Sequence, residues 1–287
     1  MKKTIVTGGD GFIGRHLVKG LQEKGYLVEV VDIKSEGDVR DLPDLTRRFE
    51  GAEYVFHLAA LPRVQYSIEN PIKTHETNVD GTLNVLEAAK SAGVKKVINA
   101  SSSSVYGECN LLPLVEEQKT CPVSPYALHK LISEQYCKLF NKVYGIDTIS
   151  LRYFNVYGPG GSITDSYPLV IPLFLHQRKQ GKPMTITGDG TQTRDFTHVK
   201  DIVRATILAA ESPTFYHHSK VLNIGAGNNV SVNRIAELIG GPVEYIPARQ
   251  EPKNTLADNT MAKTILGWKP EISIEDGIAE LRREAGL

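Results

Sequence analysis

The sequence predicts an α/β fold, a doubly wound parallel sheet with a smaller C-terminal α/β lobe, and three observations predict it. Short β-branched apolar segments alternate with amphipathic ones through the first half of the 287-residue chain, the pattern of parallel strands joined by crossover helices. A glycine-rich turn, Gly8-Gly9-Asp10-Gly11-Phe12-Ile13-Gly14, joins the first strand to the first helix. Past Gly158-Pro159-Gly160-Gly161 the segments shorten and Gly and Pro punctuate them.

Taken in order, strands are expected at 4–7, 27–32, 53–58, 95–101 and 146–151, with a helix after each. Leu17, Val18 and Leu21 give the first helix one apolar face. Beyond residue 158, helical pieces near 170–180, 198–211 and 231–239 alternate with short strands near 184–187 and 221–224. No internal repeat or low-complexity tract interrupts the chain.

Lys and Arg together number 33, as do Asp and Glu, so the charge balance points to neither a nucleic-acid nor a membrane surface. No apolar run approaches the length of a membrane span, and Met-Lys-Lys leads straight into a strand. Cys109, Cys121 and Cys137 have no metal spacing and are odd in number, which suits a reducing cytoplasm. His176, His198, His217 and His218 make no metal set either, so no metal is expected.

The first turn fits two glycine patterns equally, Gly9-Gly11-Gly14 and Gly8-Gly11-Gly14. Both let the backbone approach a pyrophosphate lying against a helix N-terminus. The second strand ends at Asp32, where a carboxylate meets the ribose hydroxyls of a dinucleotide. Farther on, Tyr126 and Lys130 stand four apart and so share a helix face. An ammonium beside a phenol of ordinary pKa about 10 favours the phenolate, a base that works near neutral pH.

With these go His57-Leu58-Ala59-Ala60, Asn78-Val79-Asp80-Gly81-Thr82, Ser102 through Gly107, Leu151-Arg152-Tyr153-Phe154-Asn155 through Pro159, Gly188-Asp189-Gly190 and Arg194-Asp195-Phe196. Together the motifs resemble the extended short-chain dehydrogenase/reductase family, and within it the NAD-dependent nucleotide-sugar epimerases, over almost the whole chain. The resemblance implies a Rossmann-type domain over 1–158, with about 198–226 returning to it, and a nucleotide-sugar lobe over 159–287. It implies that Ser102, Tyr126 and Lys130 carry the chemistry, Ser102 because it lies four before Tyr106. The cofactor would meet Gly8, Gly11, Phe12, Ile13, Gly14, Asp32, Asp38, Val39, Leu58, Ala59, Ala60, Asn78, Tyr126, Lys130 and Tyr153. The substrate would meet Ser102, Ser103, Tyr126, Asn155, Val170, Arg194, Arg249, Glu251 and Thr255.

One departure stands out: only Ile33 to Gly37 separate Asp32 from Asp38, where relatives carry a longer loop. Asp32 still repels a 2′-phosphate, which favours NAD. Ser103 and Ser104 occupy the places where family dehydratases carry an Asp-Glu pair, so elimination of water lacks its acid and base. What remains is 4-epimerisation of a UDP-hexose, UDP-glucose/UDP-galactose with UDP-GlcNAc/UDP-GalNAc as a further pair. Thr255 aligns with the position bordering the sugar's C2 substituent. The alternatives are a keto-nucleotide-sugar reductase using dissociable NAD(P)H, and a non-catalytic NAD-sensing scaffold. The resemblance also implies a cytoplasmic homodimer joined by a four-helix bundle from segments 70–92 and 124–144, with Leu83, Leu86, Tyr136 and Phe140 among its contacts.

Overall fold

Six parallel strands carry the chain's active edge. The computed structural model describes residues 2–108, 111–161, 169–213, 219–248 and 253–287. The strands are β1 (Lys3–Thr7), β2 (Leu27–Val31), β3 (Tyr54–His57), β4 (Lys96–Ser102), β5 (Asp147–Tyr153) and β10 (Lys220–Ile224), in the order β10-β5-β4-β3-β1-β2. Every residue of β3 and β5 is buried, as a parallel sheet covered on both faces requires.

One face is covered by α1 (Phe12–Glu23) and α8 (Val199–Glu211), with Leu17, Leu21, Ile202 and Trp268 in a shared core. The other is covered by α2 (Leu42–Phe49), α5 (Gly81–Ser91) and α6 (Pro125–Tyr144), through Phe49, Val85, Leu86, Cys137 and Phe140. Between β3 and α5 run α3 (Val64–Glu69), α4 (Pro71–His75) and a π turn at Glu76–Asp80. The 20-residue α6 starts sharply: Ser124 accepts the amide of Ala127, Pro125 opens the first turn, and Gly145 ends the helix in a left-handed conformation.

The chain leaves the sheet after β5 by a short strand, β6 (Val156–Tyr157), rather than by the expected helix. Asn155 turns it there, with φ of 25°. The second lobe holds α7 (Val170–Lys179), β7 (Met184–Thr187), β8 (Thr193–Asp195), β9 (Thr197–His198), β11 (Asn229–Ser231), α9 (Val232–Ile239), β12 (Val243–Ile246) and α11 (Ile274–Ala285), while α10 (Thr260–Leu266) packs back on the first core through Ala262 and Leu266. Ile171, Phe174, Ile186, Ile235 and Ile278 form its core. Its strands pair only in twos, β7 with β12, β8 with β11 and β6 with β9. β10 and α8 return to the large sheet, where the Lys96 ammonium bonds the carbonyls of Ala209 and Ser212 at the end of α8 (3.3 and 2.7 Å).

Leu86 and Phe140, expected between two copies, are instead buried inside the chain's own core. Exposed apolar residues of the same region are Ile72, Leu128, Leu139 and Val143. Among the described residues, no helix is long and apolar enough to cross a membrane. Nor does any group of His, Cys, Asp and Glu there suit a metal. Cys137 is buried and Cys121 half-buried, and Cys109 lies outside the described residues.

A directed hydrogen-bond chain ties the C-terminal ends of β1 and β3 to α5. The Thr82 hydroxyl donates to the Asn78 carbonyl (2.7 Å), so it must accept from His57 Nε2 (2.9 Å). His57 Nδ1 then accepts from the Thr7 hydroxyl (2.8 Å), which itself takes the Ala59 amide (3.3 Å). The ring is neutral: burial, with the nearby Lys130 charge, pushes its pKa from 6.5 down to about 3. The unfolded chain takes up this proton below pH 6.5 and the native chain does not. Stability is therefore complete above pH 6.5 and falls progressively toward about pH 3. Thermal midpoints measured across that range should show this loss, and a His57→Gln variant should lose part of the slope.

Candidate active site

The first turn is built so that side chains are excluded from it. Gly8 has φ of +72°, and a Cβ there would lie 2.6 Å from the Ala59 nitrogen. A Cβ on Gly14 would lie 2.1 Å from the Gly8 oxygen, and one on Gly9 would strike the Val30 side chain at 2.7 Å. At Gly11 only the Gly8 oxygen comes near, at 3.1 Å. Gly11 caps α1 without any side-chain bond, and the first turn of the helix holds no acid. The free amides and helix dipole there suit an anion. This fits a dinucleotide pyrophosphate, with Phe12 and Ile13 opening the helix beside it. Both glycine patterns are thus in use, since Gly8 and Gly9 each answer a separate contact.

Asp32 stands at the end of β2, accepting the amides of Asp10 (3.1 Å) and Lys34 (3.0 Å). Those bonds leave the carboxylate acceptor capacity for ribose hydroxyls. The short connection to Asp38 closes as a 3₁₀ turn (Ile33–Ser35), with Glu36 left-handed and the Gly37 amide on the Asp32 carbonyl.

Three expected cofactor contacts are otherwise engaged at their side chains. The Asp38 carboxylate is gripped by Arg40 (Nη2 at 2.6 Å), whose charge holds it below the usual carboxylate range. Val39 is buried in the core against Gly81, and its carbonyl takes the Asn84 amide. Tyr153 packs in the other core, its hydroxyl paired with Thr206 (2.8 Å). Asn78 acts on the loop rather than beyond it: its side chain accepts the Leu61 amide (2.7 Å) and donates to the Leu61 carbonyl (3.2 Å), fixing the chain that follows Leu58, Ala59 and Ala60.

The residues expected to be catalytic converge at the ends of β4 and α6. Ser102 closes β4, accepts the Ser104 amide (3.2 Å) and stands beside the Tyr126 phenol; Ser103 and Ser104 open the following 3₁₀ turn. The Tyr126 amide donates to Ser67 on α3 (3.0 Å), and the Lys130 ammonium donates to the Ala100 carbonyl (2.6 Å). Burial raises the Tyr126 pKa, against which the Ser102 hydrogen bond and the Arg63 charge act. Lys130 lies over the Tyr126 ring, 6.0 Å from its centre, and Arg63 is a second cation acting on the phenol. Burial pushes Lys130 itself down to about 8.

Next to this set, Ser102 pairs with Tyr153 across the sheet, which brings Asn155 to the same edge. Asn155 donates to the Asp195 carbonyl and to the Thr255 hydroxyl, each at 3.4 Å. Asp195 is wholly buried and accepts the amides of Ala226 (2.7 Å), Gly227 (3.0 Å) and Ala257 (2.9 Å). Arg194 donates to the carbonyls of Thr193 (2.9 Å) and Lys253 (3.3 Å). Val170 opens α7, half-buried. Arg249 and Glu251 lie outside the described residues. Sequence reasoning gave no role to Arg63, to Asp195, although it stood in the Arg194-Asp195-Phe196 motif, or to Glu134, one turn past Lys130 on the same helix face.

A family model described as NAD dependent epimerase/dehydratase matches residues 4–225. A putative UDP-glucose 4-epimerase of Methanocaldococcus jannaschii is 37% identical over 96% of this chain and 95% of its own. A UDP-glucuronate 4-epimerase of Thermodesulfobacterium geofontis is 38% identical over 96% of this chain and 93% of its own. The solved UDP-glucose 4-epimerase of Thermotoga maritima, bound to UDP-glucose, superposes with a TM-score of 0.92 at 36% identity, covering 99% of this chain and all of that one.

Gly8→Ala should destabilise the fold by about 1–3 kcal/mol or more, from its left-handed backbone and its contact with Ala59. Thermal melts should show it, and isothermal titration should show weakened NAD binding.

Proposed function

The chain belongs to the NAD dependent epimerase/dehydratase family, and from that premise we propose that it inverts C4 of a UDP-hexose, UDP-glucose/UDP-galactose first and their N-acetylated counterparts second. The observation that carries this reading is the composition of the catalytic edge. Tyr126 and Lys130 supply one proton-transferring pair, and Ser103 and Ser104 follow Ser102 where elimination of water needs an acid and a base. A reversible oxidation at one carbon needs a single base.

The Gly8–Gly14 turn, Asp32 and the loop at Ala59–Ala60 would hold NAD. When bound, NAD supplies the acceptor and donor of hydride. Tyr126 takes the proton of the C4 hydroxyl and later returns it. Ser102 hydrogen-bonds the same oxygen and orients it. Lys130, anchored on Ala100 and charged below about pH 8, adds positive field, and Arg63 adds more from α3. The resulting ketone turns in the pocket and is reduced on its other face. Asn155 and Arg194 would grip the diphosphate, Arg194 by the fork geometry that suits phosphate oxygens. Arg249, Val170, Glu251 and Ser103 complete the proposed nucleotide-sugar contacts.

We also infer a homodimer formed on the helices at 70–92 and 124–144, supported by the exposed Ile72, Leu139 and Val143.

Purified protein carrying NAD should convert UDP-galactose to UDP-glucose by NMR and keep its dinucleotide through gel filtration. UDP-GalNAc and UDP-galacturonate in parallel rank the sugars. Tyr126→Phe should lower turnover by about 10²–10⁴-fold without moving the thermal midpoint. Full activity in that variant, or a cofactor consumed one-for-one with substrate, would replace this reading with another.

A further inference from the structure

Beneath the catalytic edge lies a buried ion pair that the proposed reaction does not use. Glu134, on the Tyr126–Lys130 face of α6, is 3% exposed, and Arg152 on β5 is 4% exposed. Arg152 Nε and Nη2 donate to Glu134 Oε1 and Oε2 at 2.9 and 2.7 Å. The hydroxyl of Ser101, the neighbour of Ser102, donates to the same Oε1 at 2.5 Å.

The pair extends into the second lobe. Arg152 also reaches the Glu116 carbonyl (3.3 Å) and lies 4.6 Å from the centre of the Tyr106 ring. Tyr106 donates to Asn223 Oδ1 (2.7 Å), and Asn223 donates to the carbonyls of Leu114 (2.9 Å) and Asp258 (3.2 Å). The Leu114 amide bonds the Leu256 carbonyl (2.7 Å), and the Asp258 amide bonds the Leu114 carbonyl (2.9 Å), beside Thr255.

Stability gives a poor account of this arrangement, because a buried ion pair is often no better than apolar residues of the same volume. Its fork geometry does give position. We propose that Glu134 is a positioning residue of the reaction: clamped between Ser101 and Arg152, its carboxylate locks the strand end bearing Ser102 against the helix face bearing Tyr126 and Lys130, and sets the Thr255 segment on the same frame. This rests on the reading of Tyr126 as the base.

The charge of Glu134 has a second effect. The groups facing Lys130 are Tyr126, Glu134 and Cys137 on its own helix, its neighbour His129, and His57 from β3. Burial lowers its pKa and the Glu134 charge raises it; the Cys137 thiol, pushed up by its own burial, is neutral in that range. Removing the Glu134 charge therefore deprotonates Lys130 at lower pH.

The test is the pH profile of kcat for the NAD-loaded protein with UDP-galactose. Glu134→Gln keeps the shape and an acceptor for Ser101. It should cost about 10²-fold in kcat, leave KM near its original value, and shift the alkaline limb to lower pH. Glu134→Asp keeps the charge, so its alkaline limb should stay in place while kcat still falls. Should Glu134→Gln fold badly, the double variant Glu134→Leu/Arg152→Met removes both charges, and it should fold, retain NAD and remain slow. A double variant as fast as the parent, or Glu134→Gln with unchanged kcat and limb, overturns the positioning role alone. Turnover surviving in Tyr126→Phe, or absent from the parent protein, overturns the reading beneath it and the proposal together.

Discussion

No side chain fits between the first turn of this protein and the loop that follows β3, and the geometry of the active edge follows from that contact. With Gly8 against Ala59 and Gly14 against Gly8, the strand, turn and helix collapse onto one another. That brings the Ala59 amide to Thr7, Thr7 to His57, His57 to Thr82 and Thr82 to Asn78, and Asn78 holds the loop at Leu61. A relay in which every hydroxyl has one direction to donate leaves the loop a single arrangement. The same collapse exposes the uncapped start of α1, where a negative group is stabilised.

The electrostatics of the site are set by burial working against charge. Burial drives Tyr126 toward its neutral phenol and Lys130 toward its neutral amine, each unfavourable for a phenolate base beside an ammonium. Ser102 and Arg63 oppose the first effect, and the Glu134 charge the second. The groups come from the residue capping α3, from β4 and from α6, so the ionisation of Tyr126 and Lys130 depends on several elements packing correctly at once. A bound nicotinamide cation would add to the side that favours the phenolate.

Much of the fold was legible because both of its periodicities are strong. The β-branched runs gave β1 to β5 nearly to the residue, and the glycine spacing placed the first turn. The small strands β8, β9, β11 and β12 were not legible: they are two to four residues long and pair only in twos, so no alternating pattern could develop. At the site, Ser102, Tyr126 and Lys130 stood out because their spacing is local. Arg63 and Asp195 did not, because each acts on residues far along the chain: Arg63 on Tyr126, and Asp195 on amides from 226 to 257. Likewise the side chains of Asp38, Val39 and Tyr153 are committed to Arg40, the core and Thr206, partners that motif matching does not see.

Thr255 shows why sugar preference is harder to read than reaction type. As a position proposed to border the sugar, it invites an argument from size, with small residues admitting a bulkier C2 substituent. Its hydroxyl, however, takes both the Asn155 amide (3.4 Å) and the Asp195 backbone amide (3.3 Å). Asn155 sits at a left-handed φ of 25°, a conformation that persists only when its surroundings hold it. Replacing Thr255 by a larger residue would therefore do more than narrow a pocket. It would remove a strut from Asn155, the residue proposed to meet the diphosphate. If Thr255 borders the sugar as proposed, the choice of sugar and the grip on the nucleotide share one side chain, and a change in either moves the other.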